Sequence, residues 1–184
     1  MSVKNKAIFL DRDGTINEDN GYVFRTKDFI FAIGVPEAIR IMNEAGYKVI
    51  VVSNQSGIAR NYYNISDVQK LHQYVDTELS KFDAYIDAYY ICPHHPNIDV
   101  SCECRKPNPG LILQGANDFN IDIASSWMIG DKISDIECGL KAGVKTALVL
   151  TGYGEETFRK NINVLAFRNL LDFANSLYNF NAQN

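Results

Sequence analysis

Two carboxylates stand one residue apart in the run Asp11-Arg12-Asp13-Gly14-Thr15, directly after the apolar stretch Ala7-Ile8-Phe9-Leu10. Four apolar residues are too few for a helix and enough for a buried parallel strand. Carboxylates at the carboxyl end of such a strand are not core residues; open α/β sheets place their ligands there. Alternate side chains of an extended segment share a face, so Asp11 and Asp13 can converge on one cation. Gly14 allows a sharp turn and a close approach of backbone to ligand. On this chemistry Asp11 is a candidate nucleophile and Asp13 its acid/base partner.

Three further polar clusters stand at the end of an apolar run or in the loop after one: Ser53/Asn54, Arg105/Lys106 and Asp131/Lys132. Singly, each has an ordinary explanation: a turn for Ser53-Asn54, a turn or cap for Asp131, a solvated face for Arg105-Lys106. Together they recur strand after strand, and strand ends on one side of a parallel sheet converge. The resulting crevice would hold three carboxylates, a hydroxyl, an amide, an arginine and two lysines. Hard carboxylate oxygens suit Mg²⁺, which favours phosphate as a co-ligand. Phosphate in turn wants a hydroxyl, backbone N–H groups and a cation. The inventory fits phosphoryl transfer from a small monoester.

Of four cysteines, Cys92, Cys102 and Cys104 fall within thirteen residues, with His94 and His95 among them. Three thiolates and one imidazole make a closed tetrahedral Zn²⁺ site, structural because no position is left for water. Either His94 or His95 can supply the imidazole. A disulfide is the alternative, disfavoured in a reducing compartment. The C-x-H…C-x-C spacing differs from paired C-x-x-C knuckles, so nucleic-acid binding is not implied. Zinc here would pin the loop that delivers Arg105 and Lys106 to the crevice. Cys138 reads as a small buried hydrophobe and His72 as an ordinary surface or core histidine.

The elements that must position these groups alternate. Strands are predicted at 7–10, 48–52, 88–91, 126–129 and 146–150. The unbroken run Val49-Ile50-Val51-Val52 implies burial on both faces, hence a parallel sheet. Helices are predicted from Pro36 to a cap at Gly46, from an N-cap at Ser66 to Lys81, and from Pro109 to Phe119. Two more run from a cap at Ser134 to Gly143, and from Ala166 to Tyr178. Residues 11–34 and 92–108 are long loops, with 29–31 a short extended piece. This is an α/β fold: a three-layer α/β/α, Rossmann-like parallel sheet with a zinc-stabilised loop and no separate cap domain. Loops near 19–22, 58–63 and 92–105 must then enclose the substrate.

With 184 residues, 46% hydrophobic and 22% charged, the chain has the size and composition of one globular domain spanning 1–184. A net charge of -4 gives no basic footprint for nucleic acid. No secretory segment opens it and no apolar run approaches the ~18 residues of a membrane span, so a cytoplasmic monomer is expected.

The runs FLDRDGT, VVSNQSG, CRKPNPG and GDKISD resemble the four motifs of haloacid-dehalogenase-superfamily phosphatases, over roughly residues 5 to 152. More narrowly, NEDNGYV, NQSGIAR and CPHHP followed by CECRKPNPG resemble the D-glycero-D-manno-heptose 1,7-bisphosphate phosphatases. Histidinol-phosphate phosphatases share the zinc loop and the first motif; NQSGIAR and GYV favour the heptose branch. The resemblance implies an aspartyl-phosphate intermediate on Asp11, with Asp13 protonating the leaving sugar oxygen and then activating water. It implies Mg²⁺ held by Asp11, the carbonyl of Asp13 and Asp131, and a phosphoryl group stabilised by Ser53 and Lys106. It also implies substrate contacts from Asp19, Asn20, Gly21, Tyr22, Ser53, Asn54, Gln55, Ser56, Arg105 and Lys132. Zinc would sit on Cys92, His94, Cys102 and Cys104. Ser53 stands where many relatives carry Thr, which keeps the hydroxyl. Asp135, near the fourth motif, is read as orienting Lys132 or holding a metal-bound water. The partner implied is a small sugar phosphate, with histidinol phosphate or a non-catalytic phosphosugar-binding module as alternatives.

Overall fold

A computed structural model describes residues 4–99, 101–160 and 163–181. Its strands are β1 (Lys6–Leu10), β2 (Tyr47–Asn54), β3 (Ala88–Cys92), β4 (Trp127–Gly130), β5 (Lys145–Val149) and β6 (Leu165–Phe167). They form one sheet in the order β3-β2-β1-β4-β5-β6, parallel throughout. The helices are α1 (Val35–Glu44), α2 (Ile65–Ser80), α3 (Gly110–Asp118), α4 (Ile133–Ala142), α5 (Gly154–Phe158) and α6 (Leu170–Asn181).

The apolar strand runs are buried on both faces because helices cover both. Ile8, Leu10, Val49, Val51 and Ile129 pack with α1, α2 and α6 through Ile39, Met42, Leu71, Val75, Leu79 and Phe173. Ala7, Phe9, Ile50, Val52 and Met128 pack on the opposite face with Leu111 and Ile112 of α3 and Cys138 of α4. Each such side chain contributes about 1.5–3 kcal/mol by leaving water. The three layers and the parallel sheet follow the sequence expectation. Among the described residues no domain is inserted as a cap, and no helix is long and apolar enough to cross a membrane.

Several local expectations are corrected. β2 runs on through Ser53 and Asn54, because β3 pairs with both at Ile91 and Cys92. The cap of α2 is Asn64, not Ser66. The Asn64 side chain accepts the Asp67 amide at 3.1 Å while Asp67 accepts the Asn64 amide at 3.0 Å, a reciprocal box that satisfies two donors at once. The Ser66 hydroxyl merely donates to Asn64. Lys132, not Ser134, is the residue before α4, where its amide donates to Asp135. The sheet has six strands rather than five. The helix expected from Ala166 starts at Leu170, and Ala166 lies in β6, drawn out by pairing with Leu148 of β5.

α6 closes one face of the sheet by seating the fully buried Phe173 between Trp127 and Phe167, with ring centroids 5.3 and 5.4 Å away. Phe173→Ala is expected to lower unfolding stability by about 3–5 kcal/mol. Urea denaturation followed by circular dichroism reads this directly, and a loss under about 1 kcal/mol would show that α6 is not part of the core.

Candidate active site

After β1 the chain builds β2 and β3 outward on one side, then returns to place β4 on the other side of β1. The reversal leaves a crevice beyond the carboxyl ends of β1 and β4. Asp11 and Asp131 follow those two ends, and the Asp11 amide donates to the Ile129 carbonyl at 2.9 Å. A cleft of about 330 Å³ opens there, lined by Asp11, Asp13, Ser53, Lys106 and Lys132 among others.

Lys106 forms its floor. Its ammonium lies 2.7 Å from Asp11 Oδ1 and 2.7 Å from Asp135 Oδ1, and all three side chains are almost fully buried. Burial pushes the Lys106 pKa down, but Asp11 and Asp135 outweigh it and the net shift is upward. Asp11 is also raised: burial leads, Asp135 adds to it, and Lys106 and Lys132 offset only part. One ammonium between two carboxylates keeps its proton, and the pair of acids retains an excess negative charge that a further cation would relieve.

Asp131 marks where that cation fits. It is fully buried, and its Oδ1 has no hydrogen-bond partner. Carboxylate oxygens of Asp11, Asp131 and Asp135 lie within 4.8 Å of one another, an all-oxygen set suited to a hard divalent ion. Burial, reinforced by Asp11, pushes the Asp131 carboxyl up to about 7, against the pull of Lys132 and the Tyr153 amide. The loop after β5 secures this corner. The Tyr153 amide donates to Asp131 Oδ2 at 2.8 Å, and the Thr151 hydroxyl donates to the Gly14 carbonyl at 2.6 Å. Gly14, at φ 96°, leaves space for Asp131: a Cβ there would stand 2.2 Å from Asp131 Oδ2.

Asp13 is held differently. Burial would raise its pKa, but Arg12, Asn17 and Gln55 bring the net shift below the usual carboxylate range. Ser53 accepts the Gln55 amide at 2.8 Å, so its own hydroxyl proton remains available to an incoming oxygen. Asn54 clamps the Lys106 backbone reciprocally, donating to its carbonyl at 3.1 Å and accepting its amide at 3.0 Å.

Beyond β3, Cys92 Sγ lies 2.8 Å from Cys104 Sγ and 3.6 Å from Cys102 Sγ, with Cys102 and Cys104 3.5 Å apart. His94 Nδ1 is 3.3 Å from Cys104 Sγ and 3.5 Å from Cys92 Sγ. Tetrahedral zinc thiolates stand about 3.8 Å apart, so Zn²⁺ would fit once the Cys92–Cys104 pair opens by about 1 Å and the other two by a few tenths of an ångström. His95 faces elsewhere, 2.6 Å from Arg60 Nη2.

The cleft brings together Asp11, Asp13, Asp19, Gly21, Tyr22, Ser53, Asn54, Gln55, Ser56, Lys106 and Lys132. Arg105 is not on its wall. Its guanidinium donates to the His94 carbonyl at 2.9 Å and borders a neighbouring hollow, and Asn20 also faces a separate one. Tyr63, the last residue of the 58–63 loop expected to enclose the substrate, lines the cleft, as do Ser134 and Tyr153, which sequence reasoning passed over. Sequence reasoning also missed Arg12 as the partner of Asp13. Asp135 accepts the Lys132 amide at 3.0 Å, in keeping with its reading as a group that orients Lys132, and pairs in addition with Lys106. The D-R-D spacing was the available signal for Arg12; the others carry no local signature. His72 is a buried core histidine stacked on Tyr89 at 4.0 Å, and burial lowers its pKa to about 3.

The HAD-hydrolase-like family model matches residues 103–168. A D-glycero-beta-D-manno-heptose-1,7-bisphosphate 7-phosphatase of Yersinia pestis is 46% identical over 158 residues, covering 83% of this chain and 84% of that protein. The protein of the same name from Helicobacter pylori is 43% identical over 169 residues, covering 91% and 96% of the two. Among solved structures, the D,D-heptose 1,7-bisphosphate phosphatase of B. bronchiseptica, complexed with magnesium and phosphate, superposes with a TM-score of 0.89. It is 31% identical, and the match covers 95% of this chain and 99% of that one.

With burial and Asp11 holding the Asp131 carboxyl up at about 7, a divalent cation that binds there is expected to displace its proton below that pH. The sign follows: the raised acid is protonated below that value, so cation affinity falls as pH drops through it. Calorimetry with Mg²⁺ in buffers of different ionisation enthalpy should find close to one proton released at pH 6 and almost none at pH 8.5. Equal release at both would mean that the Asp131 carboxyl is not held up in that range.

Proposed function

The chain belongs to the D-glycero-D-manno-heptose-1,7-bisphosphate 7-phosphatase family of haloacid-dehalogenase-like hydrolases, and we propose that it hydrolyses the 7-phosphate of that heptose bisphosphate. The observation that carries the reading is Asp11 at the foot of a polar cleft, buried against Lys106 with Asp131 beside it. An oxygen of Asp11 attacks phosphorus and the bond from phosphorus to the sugar oxygen breaks. The departing oxygen takes its proton from Asp13, leaving an aspartyl phosphate. Asp13, now a carboxylate, takes a proton from water whose oxygen attacks phosphorus, and inorganic phosphate leaves Asp11. Burial of Asp13 is outweighed by the Arg12 charge, with hydrogen bonds from Asn17, Arg12 and Gln55, which favours the carboxylate in the free chain, the form the second step uses. The first step needs Asp13 protonated when substrate is bound. Lys106 and the Ser53 hydroxyl stabilise charge on the phosphoryl oxygens. Asp11, Asp131 and the Asp13 carbonyl would hold Mg²⁺, which neutralises that charge further when bound.

Asp19, Gly21, Tyr22, Ser56 and Lys132 offer the remaining contacts, with Arg105 one step further out. Asp19 is paired with Lys132 at 3.1 Å, which leaves it poorly placed to receive a cationic leaving group and favours the sugar over histidinol phosphate. The beta anomer is the one named for the relatives. Cys92, His94, Cys102 and Cys104 would hold a structural Zn²⁺, closed to substrate. The same reading makes the chain a cytoplasmic monomer without nucleic-acid partners, in line with a net charge of -4 and with thiolates that need reducing conditions.

Two measurements test this. Phosphate release with Mg²⁺ should show kcat/KM about 100-fold or more higher for the beta than for the alpha anomer of the heptose bisphosphate, and higher again than for histidinol phosphate. Preference for histidinol phosphate would reassign the substrate, and no release from any of the three would remove the enzymatic reading. Cys102→Ser should lower the zinc content measured by elemental analysis. A loss of about 3 kcal/mol would bring the melting temperature down by roughly 6–12 °C. Full zinc content in the variant would contradict the ligand set.

A further inference from the structure

Asp13 is not free to turn in the cleft. Its carboxylate accepts from Arg12 Nη2 at 2.9 Å on each oxygen, from Asn17 Nδ2 at 3.0 Å and from Gln55 Nε2 at 3.0 Å. Gln55 can donate to Asp13 only while its amide nitrogen faces that way. Its oxygen then faces Tyr63, whose hydroxyl donates to it at 2.8 Å, with Arg12 Nη2 3.5 Å from the same oxygen. A flipped amide would set oxygen against the Asp13 carboxylate and NH₂ against a guanidinium that can only donate. Tyr63 and Arg12 therefore select one of the two orientations of Gln55.

Tyr63 is itself well fixed. Its ring stacks on Phe24 with centroids 4.8 Å apart and lies over Gly57, where a Cβ would stand 2.2 Å from a ring carbon. Burial pushes its phenol up to about 12, so the hydroxyl stays a donor through neutral pH. Arg12 Nη2 also donates to the Val23 carbonyl, so the segment that brings Gly21 and Tyr22 to the cleft is tied to the same cluster.

We propose that Tyr63 is a positioning residue for the acid/base step: acting through Gln55, it holds Asp13 in the orientation that meets the leaving-group oxygen. The inference rests on the acid/base reading of Asp13 and deepens it by assigning the group that aims it.

Tyr63→Phe keeps the ring and its stacking and removes only the hydroxyl. The readout is kcat/KM, which spans the chemistry through departure of the leaving group. A sugar alkoxide needs a proton to leave, whereas the nitrophenolate of 4-nitrophenyl phosphate does not. The variant should lose about 10-fold on the sugar phosphate and under about 2-fold on 4-nitrophenyl phosphate, a fraction of the full acid contribution. In a Gln55→Met background the same change should add less than about 2-fold, because both residues act along one path. Equal losses on the two substrates, no loss on the sugar phosphate, or additive effects in the double variant would each overturn the proposal. Asp13→Asn on the same pair separates it from the reading beneath it. Failure of Asp13→Asn to discriminate between the leaving groups would remove the acid/base role itself, and Tyr63 with it.

Discussion

One buried ammonium group organises this site. Lys106 Nζ touches carboxylates from two other parts of the chain, Asp11 after β1 and Asp135 in α4, and all three are shielded from water. A buried charge is tolerated only when paired, and losing one partner of such a pair costs about 3–5 kcal/mol because the other is left uncompensated. The ends of β1 and β4 and the loop after β3 are therefore held in one arrangement by electrostatics as well as packing. The arrangement is also incomplete on its own. Two carboxylates against the Lys106 ammonium, with Asp131 Oδ1 lacking a hydrogen bond and only 3.7 Å from Lys132 Nζ, leave a corner that suits a divalent ion.

The lysine reaches that position because its segment is tethered twice. The Cys92, His94, Cys102 and Cys104 cluster ends two residues before it, and the Asn54 side chain grips its backbone from both sides. Asn54 and Gln55 thus spend their polar atoms on other site residues, Lys106 for one and Asp13 and Ser53 for the other. What remains free to meet a phosphate is a smaller set, chiefly the Ser53 hydroxyl and the ammonium itself.

The rim is built from weaker interactions than the floor. Tyr22 meets Tyr62 edge to face at 4.9 Å, Phe24 stacks on Tyr63, and Tyr153 comes from the loop after β5. Aromatic pairs of this kind contribute about 0.5–1.5 kcal/mol each beyond their burial. With no inserted domain among the described residues, these loops stand where a cap would. A rim held by small terms can adjust to a substrate while the charged floor keeps its geometry.

Much of the framework was legible in the chain itself. The apolar runs at Ala7–Leu10 and Val49–Val52 name buried parallel strands, and the polar residues after them name the sheet end where chemistry collects. The Cys/His group announced itself by residue type and closeness in sequence. Such signals are local: run length, period and spacing survive without knowledge of distant contacts. Where local signals competed, the better satisfied one won, as Asn64 did over Ser66 at the start of α2.

The rest needed the tertiary structure. β6 is three residues long and exists because β5 offers it an edge. Asp135 gained its place from a lysine delivered by another loop, Arg105 turned to the His94 carbonyl rather than the cleft, and Tyr63 earned its role through one orientation of a glutamine amide. The sequence by itself determined which residues could do chemistry and at which sheet end they would gather. Only the fold decided which charges are paired, which hydrogen-bonding atoms are already spent and which carboxyls burial pushes up. Those depend on burial and on distances of a few ångströms between segments that no spacing in the chain encodes.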